Sequence, residues 1–135
     1  MPVRVAVLLD THTLVWYADG APQLPRALKQ WLDDERTTCY VSVVSFWEVA
    51  TLVSLNRLAL VPDLATWLAN IRGGGFAVLP IEDVHLLRYA ALPQVKDHRG
   101  PFDRLLIAQA LTDDLTLVSR DGKFRDYTGL KWQWA

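Results

Sequence analysis

Cysteine is nearly absent from the sequence, since Cys39 is the only one among 135 residues. One thiol cannot form a disulfide within the chain, nor can it supply a zinc site built from cysteines. The chain also lacks an apolar run of the roughly 20 residues that a membrane helix needs. Arg4 interrupts the first apolar stretch, which does not fit a signal peptide. These absences predict a soluble protein of the cytoplasm, where thiols stay reduced.

Neither sign of charge is in excess. Lys and Arg total 14, Asp and Glu total 15, and the formal net charge is −1. This balance excludes a protein that coats nucleic acid through bulk positive charge, although a local basic patch remains open. Hydrophobic residues make up 51% of the chain and charged residues 21%, which excludes a disordered tail. The length fits one domain, which we expect to span residues 1–135.

Apolar runs and periodic stretches alternate along the chain. Continuous apolar runs predict buried strands at 3–9, 39–44, 76–81 and 115–119, with a short fifth strand near 130–132. Periodic stretches predict helices at 11–17, 25–35, 82–92 and 102–112, a helix that opens at Ser45, and a helix capped by Asp63 that stops at glycines 73–75. This alternation predicts an α/β sandwich around a mostly parallel sheet of four or five strands.

Four acids hold related positions in this arrangement. Asp10 directly follows the first strand, and Asp121 follows the fourth strand by two residues. Glu48 and Asp103 lie in the first turns of helices that follow a strand or a loop. Open parallel sheets bind their ligands beyond the carboxyl ends of the strands. The sequence therefore predicts that these carboxylates converge on one edge of the sheet.

A cluster of carboxylates favours metal-dependent chemistry. The repulsion between the carboxylates raises their pKa values or demands a cation. Oxygen ligands alone suit Mg²⁺ or Mn²⁺. Such ions activate water and neutralise the charge that develops on a leaving oxygen, which suits the cleavage of phosphodiester bonds.

Each acid also has an ordinary structural interpretation, which stays open at this point. Asp10 suits a helix cap, and Asp121, in an Arg-Asp-Gly run, suits a turn. Asp103 complements the dipole of a helix N-terminus. The pattern Ser45-x-x-Glu48 matches a capping box, in which the glutamate bonds back to the backbone of the serine. The prediction of a site depends on the equivalent placement of all four acids.

Four short segments carry these acids and occur in a fixed order. They are LLDTHTLVW at 8–16, VSVVSFWEVA at 41–50, HRGPFDRLL at 98–106 and LVSRDGKF at 117–124. Together, and in this order, they resemble the PIN-domain ribonucleases, and within them the VapC-like toxins of bacterial toxin–antitoxin pairs. The resemblance spans nearly the full chain.

The resemblance implies a three-layer α/β/α fold and an endoribonuclease that uses Mg²⁺ or Mn²⁺. The hydroxyls of Thr11 and Ser119 match positions beside the active site. Such toxins are usually homodimers and are inhibited by an antitoxin protein encoded alongside. Four carboxylates would bind the metal and act in catalysis: Asp10, Glu48, Asp103 and Asp121.

Two positions depart from the family pattern. Gly100 replaces the first aspartate of the family's His-Arg-Asp-Pro-Phe-Asp-Arg stretch, and Leu52 replaces a lysine that often follows the glutamate by four residues. Neither change removes one of the four acids, so we expect activity. The departures leave open a catalytically weakened PIN-fold module that binds RNA or a partner protein. A phosphatase of the haloacid dehalogenase type is disfavoured because His12 stands where its second aspartate would be.

Contact with RNA requires local positive charge. Arg99 and Arg104 are our candidates for substrate contact or for support of the acids, and Lys123 and Arg125 also flank the acids in the sequence. Arg104, one residue after Asp103, could instead form an ion pair with it. Scattered surface charge is the alternative for each of these cations.

Histidines and tryptophans suggest less specific roles. The histidine spacing does not fit a zinc site, and His85 is predicted on the surface of its helix. The chain has six tryptophans, which is many for this length. We expect some of them, such as Trp47, Trp132 or Trp134, to form a dimer surface or a groove for an antitoxin helix.

Overall fold

The strands form one sheet in which every neighbouring pair runs parallel. The computed structural model describes residues 4–95 and 100–134. The order across the sheet is β3-β2-β1-β4-β5, so β1 lies at the centre. The predicted parallel sheet is confirmed, with strands β1 (Val5–Leu9), β2 (Thr37–Ser42), β3 (Ala77–Leu79), β4 (Thr116–Val118) and β5 (Trp132–Gln133).

Helices connect the first four strands. A short 3-10 helix, Gly122–Asp126, follows β4. Within the described residues, no helix is both long enough and apolar enough to cross a membrane. The α-helices are α1 (Thr11–Asp19), α2 (Arg26–Asp33), α3 (Val43–Ser54), α4 (Leu64–Arg72), α5 (Asp83–Ala91) and α6 (Pro101–Asp113).

Hydrophobic side chains cover both faces of the sheet. Along β1, Val7 and Leu9 point to one face and Leu8 points to the other, and all three are fully buried. Val7 and Leu9 belong to a cluster with residues of α1, α2 and α4. Leu8 belongs to a second cluster, which is built largely from α6. The sheet therefore lies between two helical layers, which confirms the three-layer α/β/α fold.

The boundary between β2 and α3 differs from the prediction. The sequence placed Val43 and Val44 in the strand, but β2 ends at Ser42 and α3 begins at Val43. The Ser42 side chain caps the helix by accepting a hydrogen bond from the backbone nitrogen of Val44 at 3.0 Å. The capping box predicted for Ser45 and Glu48 is therefore wrong, because a serine three residues earlier takes that role.

His85 is another correction, because its side chain is fully buried rather than on the helix surface. Its Nδ1 accepts a hydrogen bond from the backbone nitrogen of Glu82 at 3.0 Å. The ring proton is therefore on Nε2, which lies 3.0 Å from Oδ2 of Asp113. His85 thus joins the start of α5 to the end of α6.

Candidate active site

The sheet topology creates a crevice beside β1. Successive strands add to one side of β1, and the chain then returns to the other side to form β4. Parallel sheets bind ligands where the strand order reverses in this way, outside the carboxyl ends of the strands. Asp10 follows β1 directly at this point, and Ser119 follows β4 directly.

Asp10 connects the two central strands. Its Oδ1 accepts a hydrogen bond from the backbone nitrogen of Thr13 at 2.9 Å, so it caps α1. Its Oδ2 accepts a hydrogen bond from the hydroxyl of Ser119 at 2.5 Å, although the two residues lie 109 positions apart in the sequence. Asp10 is 9% exposed. The cap interpretation and the site interpretation are therefore compatible, because each oxygen has a separate contact.

Thr11 and Ser45 hold the Glu48 carboxylate. Oγ1 of Thr11 lies 2.6 Å from Oε1 of Glu48 and 3.1 Å from Oγ of Ser45. A hydroxyl has one proton and a carboxylate can only accept, so Thr11 donates to Glu48 and receives its own hydrogen bond from Ser45. This contact ties α3 to the first residue of α1, beside Asp10.

Asp121 caps the 3-10 helix. Its Oδ1 accepts a hydrogen bond from the backbone nitrogen of Lys123 at 2.9 Å, and its own backbone nitrogen donates to Oγ of Ser119 at 3.0 Å. Ser119 is fully buried. One hydroxyl thus positions two of the acids, Asp10 through its side chain and Asp121 through its backbone.

Asp103 lies in the first turn of α6, and the other acids affect the pKa of its carboxyl. Burial raises the pKa of the Asp103 carboxyl to about 7, and the negative charges of Glu48, Asp10 and Asp121 add to this rise. Carboxylates perturb one another in this way when they share a site. The four predicted acids therefore interact electrostatically through Asp103.

The chemistry of this donor set fits a divalent cation. All the donors are oxygens, and a cation would relieve the repulsion that raises the pKa of Asp103. In the described ranges, no three His, Cys, Asp or Glu side chains form a ready-made group of metal ligands. The fit is therefore one of charge and ligand type.

Arg104 is a correction to the predicted substrate contacts. Its side chain is 5% exposed, and its Nη1 donates to the carbonyl oxygen of Pro93 at 3.0 Å and to the hydroxyl of Tyr127 at 3.1 Å. Residues adjacent on a helix point about 100° apart, so Arg104 faces a different side of α6 from Asp103. Arg104 anchors neighbouring segments, whereas Arg99 lies outside the described residues.

Sequence reasoning also missed Gln109. This fully buried side chain accepts a hydrogen bond from the Ser42 hydroxyl at 2.6 Å and donates to the carbonyl oxygen of Pro80 at 3.1 Å. It thereby fixes α6, which carries Asp103, against the ends of β2 and β3. Its place on a helix gave no signal, because glutamine is usually exposed.

We expect the change Gln109→Leu to destabilise the protein by about 1–3 kcal/mol, because the carbonyl of Pro80 would lose its buried donor. Urea unfolding measures this free energy. Gln30→Leu is the matched control, because Gln30 is exposed on α2 and its replacement is expected to change stability by less than about 0.5 kcal/mol. Equal effects of the two changes would contradict the role given to Gln109.

The PIN domain family matches residues 7–130. Ribonuclease VapC22 from Mycobacterium tuberculosis is 26% identical over 121 residues, which cover 90% of this chain and 91% of the relative. This match confirms the resemblance to VapC-like proteins that the four segments indicated.

Solved structures show the same fold. VapBC2 from Rickettsia felis, bound to a DNA fragment from its promoter, matches with a TM-score of 0.71 and 16% identity over 97% of this chain and 100% of that chain. DNA-bound VapBC from Salmonella typhimurium matches with a TM-score of 0.67 and 17% identity over 96% of this chain and 97% of that chain. With the family match over most of its length, the chain belongs to the PIN domain family.

Proposed function

We propose that this protein is a metal-dependent endoribonuclease and the toxin component of a toxin–antitoxin pair. The observation that carries the proposal is the cluster of four acids at the strand ends of a PIN fold: Asp10, Glu48, Asp103 and Asp121. Similarity to a relative named as a ribonuclease supports the activity. Similarity to a solved VapBC structure from Rickettsia felis and to a solved toxin–antitoxin complex from Klebsiella pneumoniae supports the antitoxin partner.

The four carboxylates would hold the ion, Mg²⁺ or Mn²⁺. When bound, the ion supplies an activated water and neutralises the charge on the leaving oxygen of the RNA phosphodiester. Asp10 and Asp103 are our choices for direct ligands, and Glu48 and Asp121 complete the negative cluster. Without a cation, the negative charge of these carboxylates opposes the binding of the phosphate to be cleaved, which would lie at the acids themselves.

Two hydroxyls keep this cluster in place. Ser119 donates to Oδ2 of Asp10, and Thr11 donates to Oε1 of Glu48, so each hydroxyl holds one oxygen of its carboxylate. Groups that orient metal ligands typically change metal affinity or activity by about 10- to 100-fold when they are removed. We assign Ser119 and Thr11 this orienting role, and we do not place either in direct contact with the reacting atoms.

Gly100 is the residue that favours the alternative function, a binding module without catalysis, because it stands where the family pattern has an aspartate. A Cβ added at Gly100 would lie 3.7 Å from Oδ2 of Asp103, so an aspartate there would reach the cluster. This chain therefore lacks a carboxylate that would have stood beside Asp103. The remaining four acids are the reason for proposing catalysis.

An exposed apolar surface is our candidate contact for protein partners. Trp47 is 60% exposed, and its ring packs edge to face on Phe102 at 4.9 Å between centroids. A groove of about 190 Å³ beside this pair carries no charged side chain and is lined by the residues that we call the Trp47 groove: Trp47, Leu86, Tyr89, Pro101, Phe102 and Leu105. Apolar surfaces of this kind favour contact with another protein, here the antitoxin or a second copy in a homodimer.

Metal removal tests the proposed reaction. Purified protein, free of antitoxin, is incubated with a mixed pool of structured RNA in Mn²⁺ or in EDTA. We expect cleavage products in Mn²⁺ and none in EDTA, because a bound ion would activate the attacking water and neutralise the charge on the leaving oxygen. RNA cleavage is expected in the cytoplasm, where the substrate and the antitoxin are made.

The Asp10→Asn variant controls for contaminating nucleases. Cleavage that is the same in the variant and the parent would come from a contaminant and would contradict the assignment of the site. Binding of RNA or antitoxin without cleavage by the folded parent would favour the binding module instead.

A further inference from the structure

A cluster of aromatic and cationic side chains shares no residue with the Trp47 groove. We call it the Trp16 cluster, and its members are His12, Trp16, Arg120 and Trp134. The guanidinium of Arg120 lies over the Trp16 ring, 6.0 Å from its centroid. The rings of His12 and Trp134 lie 5.9 Å and 6.2 Å from the same ring. Three side chains thus contact the ring of Trp16, and the four residues come from three parts of the chain.

The cluster borders the acids through the backbone. His12 and Trp16 are four residues apart on α1, so they share one face of a helix that begins directly after Asp10. Arg120 stands between Ser119 and Asp121. The elements that position the carboxylates therefore also position the cluster.

Packing on the hydrophobic core explains the positions of Trp16 and Trp134 but not those of His12 and Arg120. Trp16 and Trp134 are half-buried and pack against the hydrophobic core. His12 and Arg120 are exposed. In the described part of the chain, the guanidinium of Arg120 takes part in no hydrogen bond or ion pair. Its contact with the Trp16 ring therefore orients the guanidinium and leaves its N–H donors available to a ligand.

Charge distinguishes the two aromatic surfaces. The Trp47 groove contains no cation, so it offers nothing to a phosphate. The Trp16 cluster combines a guanidinium with the exposed ring of His12 and the half-buried ring of Trp16. Cationic and aromatic groups of this kind bind the backbone and the bases of single-stranded nucleic acid. Bases in a duplex are stacked on each other, so only an unpaired strand offers a base to these rings.

We propose that the Trp16 cluster binds the single-stranded segment of the RNA next to the cleaved phosphate. Arg120 binds a phosphate of the strand, and His12 and the exposed part of Trp16 contact an unpaired base. Trp16 also fixes the direction of the guanidinium, and Trp134 supports the ring of Trp16. This inference rests on the proposed function, since it names the substrate region that the same site would recognise.

A binding measurement without cleavage tests the inference. The Asp10→Asn protein, in EDTA, is titrated into a fluorescent single-stranded RNA of 12 nucleotides at several salt concentrations. Adding Arg120→Gln is expected to weaken binding about tenfold and to reduce the slope of log Kd against log salt by about 0.7, since one phosphate contact is lost. Adding Trp16→Leu is expected to weaken binding about tenfold through lost stacking.

Three matched variants give the controls. Arg4→Gln also removes one positive charge, from the residue before β1 at the amino ends of the strands. It is expected to leave binding unchanged. Trp16→Phe keeps a ring and is expected to bind better than Trp16→Leu. Arg120→Lys keeps the charge, so it is expected to retain the salt slope. Arg120 is exposed, so its variants test the inference even if Trp16→Leu folds poorly.

Several results would overturn the inference. They are absence of RNA binding by the Asp10→Asn protein, equal effects of Arg120→Gln and Arg4→Gln, or cluster variants that change the oligomeric state and leave RNA binding intact. Failure of the proposed function would give a different result from failure of this inference. RNA binding that depends on Arg120, by a parent protein that never cleaves in Mn²⁺, would contradict the nuclease and support the inference.

Discussion

Replacing Asp10 with asparagine is expected to reduce RNA cleavage by roughly 10³-fold while the protein keeps its fold. The change removes one negative charge from the acid cluster and weakens the hold on the cation. Asparagine caps helices about as well as aspartate, so the hydrogen bond from the Thr13 backbone can be kept. The loss of activity therefore separates from any loss of stability.

Asp10→Ala is the companion variant. Alanine cannot cap α1, so we expect it to lose cleavage to the same extent and also about 1 kcal/mol of stability. The measurements are initial rates of RNA cleavage in Mn²⁺ and urea unfolding in EDTA for the parent and both variants. An Asp10→Asn protein that cleaves as fast as the parent would remove Asp10 from the active site.

Replacing Asp103 with asparagine is expected to stabilise the metal-free protein at pH 8 by up to about 4 kcal/mol. In the folded protein, burial and the neighbouring acids raise the pKa of Asp103 to about 7. In the unfolded chain, the same carboxyl ionises near its ordinary pKa of about 3.9. The folded state therefore binds more protons between these two values, and this group makes stability fall as pH rises from about 4 to 7. Asparagine cannot ionise, so the variant escapes this loss.

Urea unfolding in EDTA at pH 4.5 and pH 8 measures the effect. The difference in stability between Asp103→Asn and the parent is expected to be small at pH 4.5 and large at pH 8. Glu35→Gln is the control, because Glu35 is exposed and lies before β2, at the amino ends of the strands and away from the acids. A stability difference for Asp103→Asn that is the same at both pH values would contradict the electrostatic cluster. Mn²⁺ is expected to stabilise the parent more than the variant.

The sequence predicts the parallel sheet, because buried parallel strands are continuous apolar runs. The ends of the strands are harder to predict, since β2 ends two residues earlier than the apolar run indicates. Asp10 follows β1 directly, whereas Asp121 lies three residues after β4. The role of residues 45–48 is harder to predict from the sequence, since Ser42 and Ser45 offer equivalent caps to the same helix. The structure distinguishes them, because the hydroxyl of Ser42 accepts the hydrogen bond from Val44, while Glu48 is held by Thr11, 37 residues away in the sequence.

The side chains of α5 and α6 depend on packing between helices. His85 and Gln109 are polar residues on helices, and the local pattern gives no sign that each is fully buried. Their burial comes from partners in other elements, Asp113 for one and Ser42 with Pro80 for the other. Arg104 is different, because the 100° turn between neighbouring helix positions already separates it from Asp103. That error could have been avoided from the sequence alone.

The hydrogen bond between Ser119 and Asp10 determines when the site can assemble during synthesis of the chain. It joins residues 109 positions apart, so the two sides of the crevice meet only when β4 docks beside β1. Ribosomes add about 5–20 residues per second from the N-terminus, and contacts so distant along the chain form late. A nascent chain with Asp10, Thr11 and Glu48 already made still lacks Asp103, Ser119 and Asp121. A chain built in this order has no complete acid cluster until its translation is nearly finished.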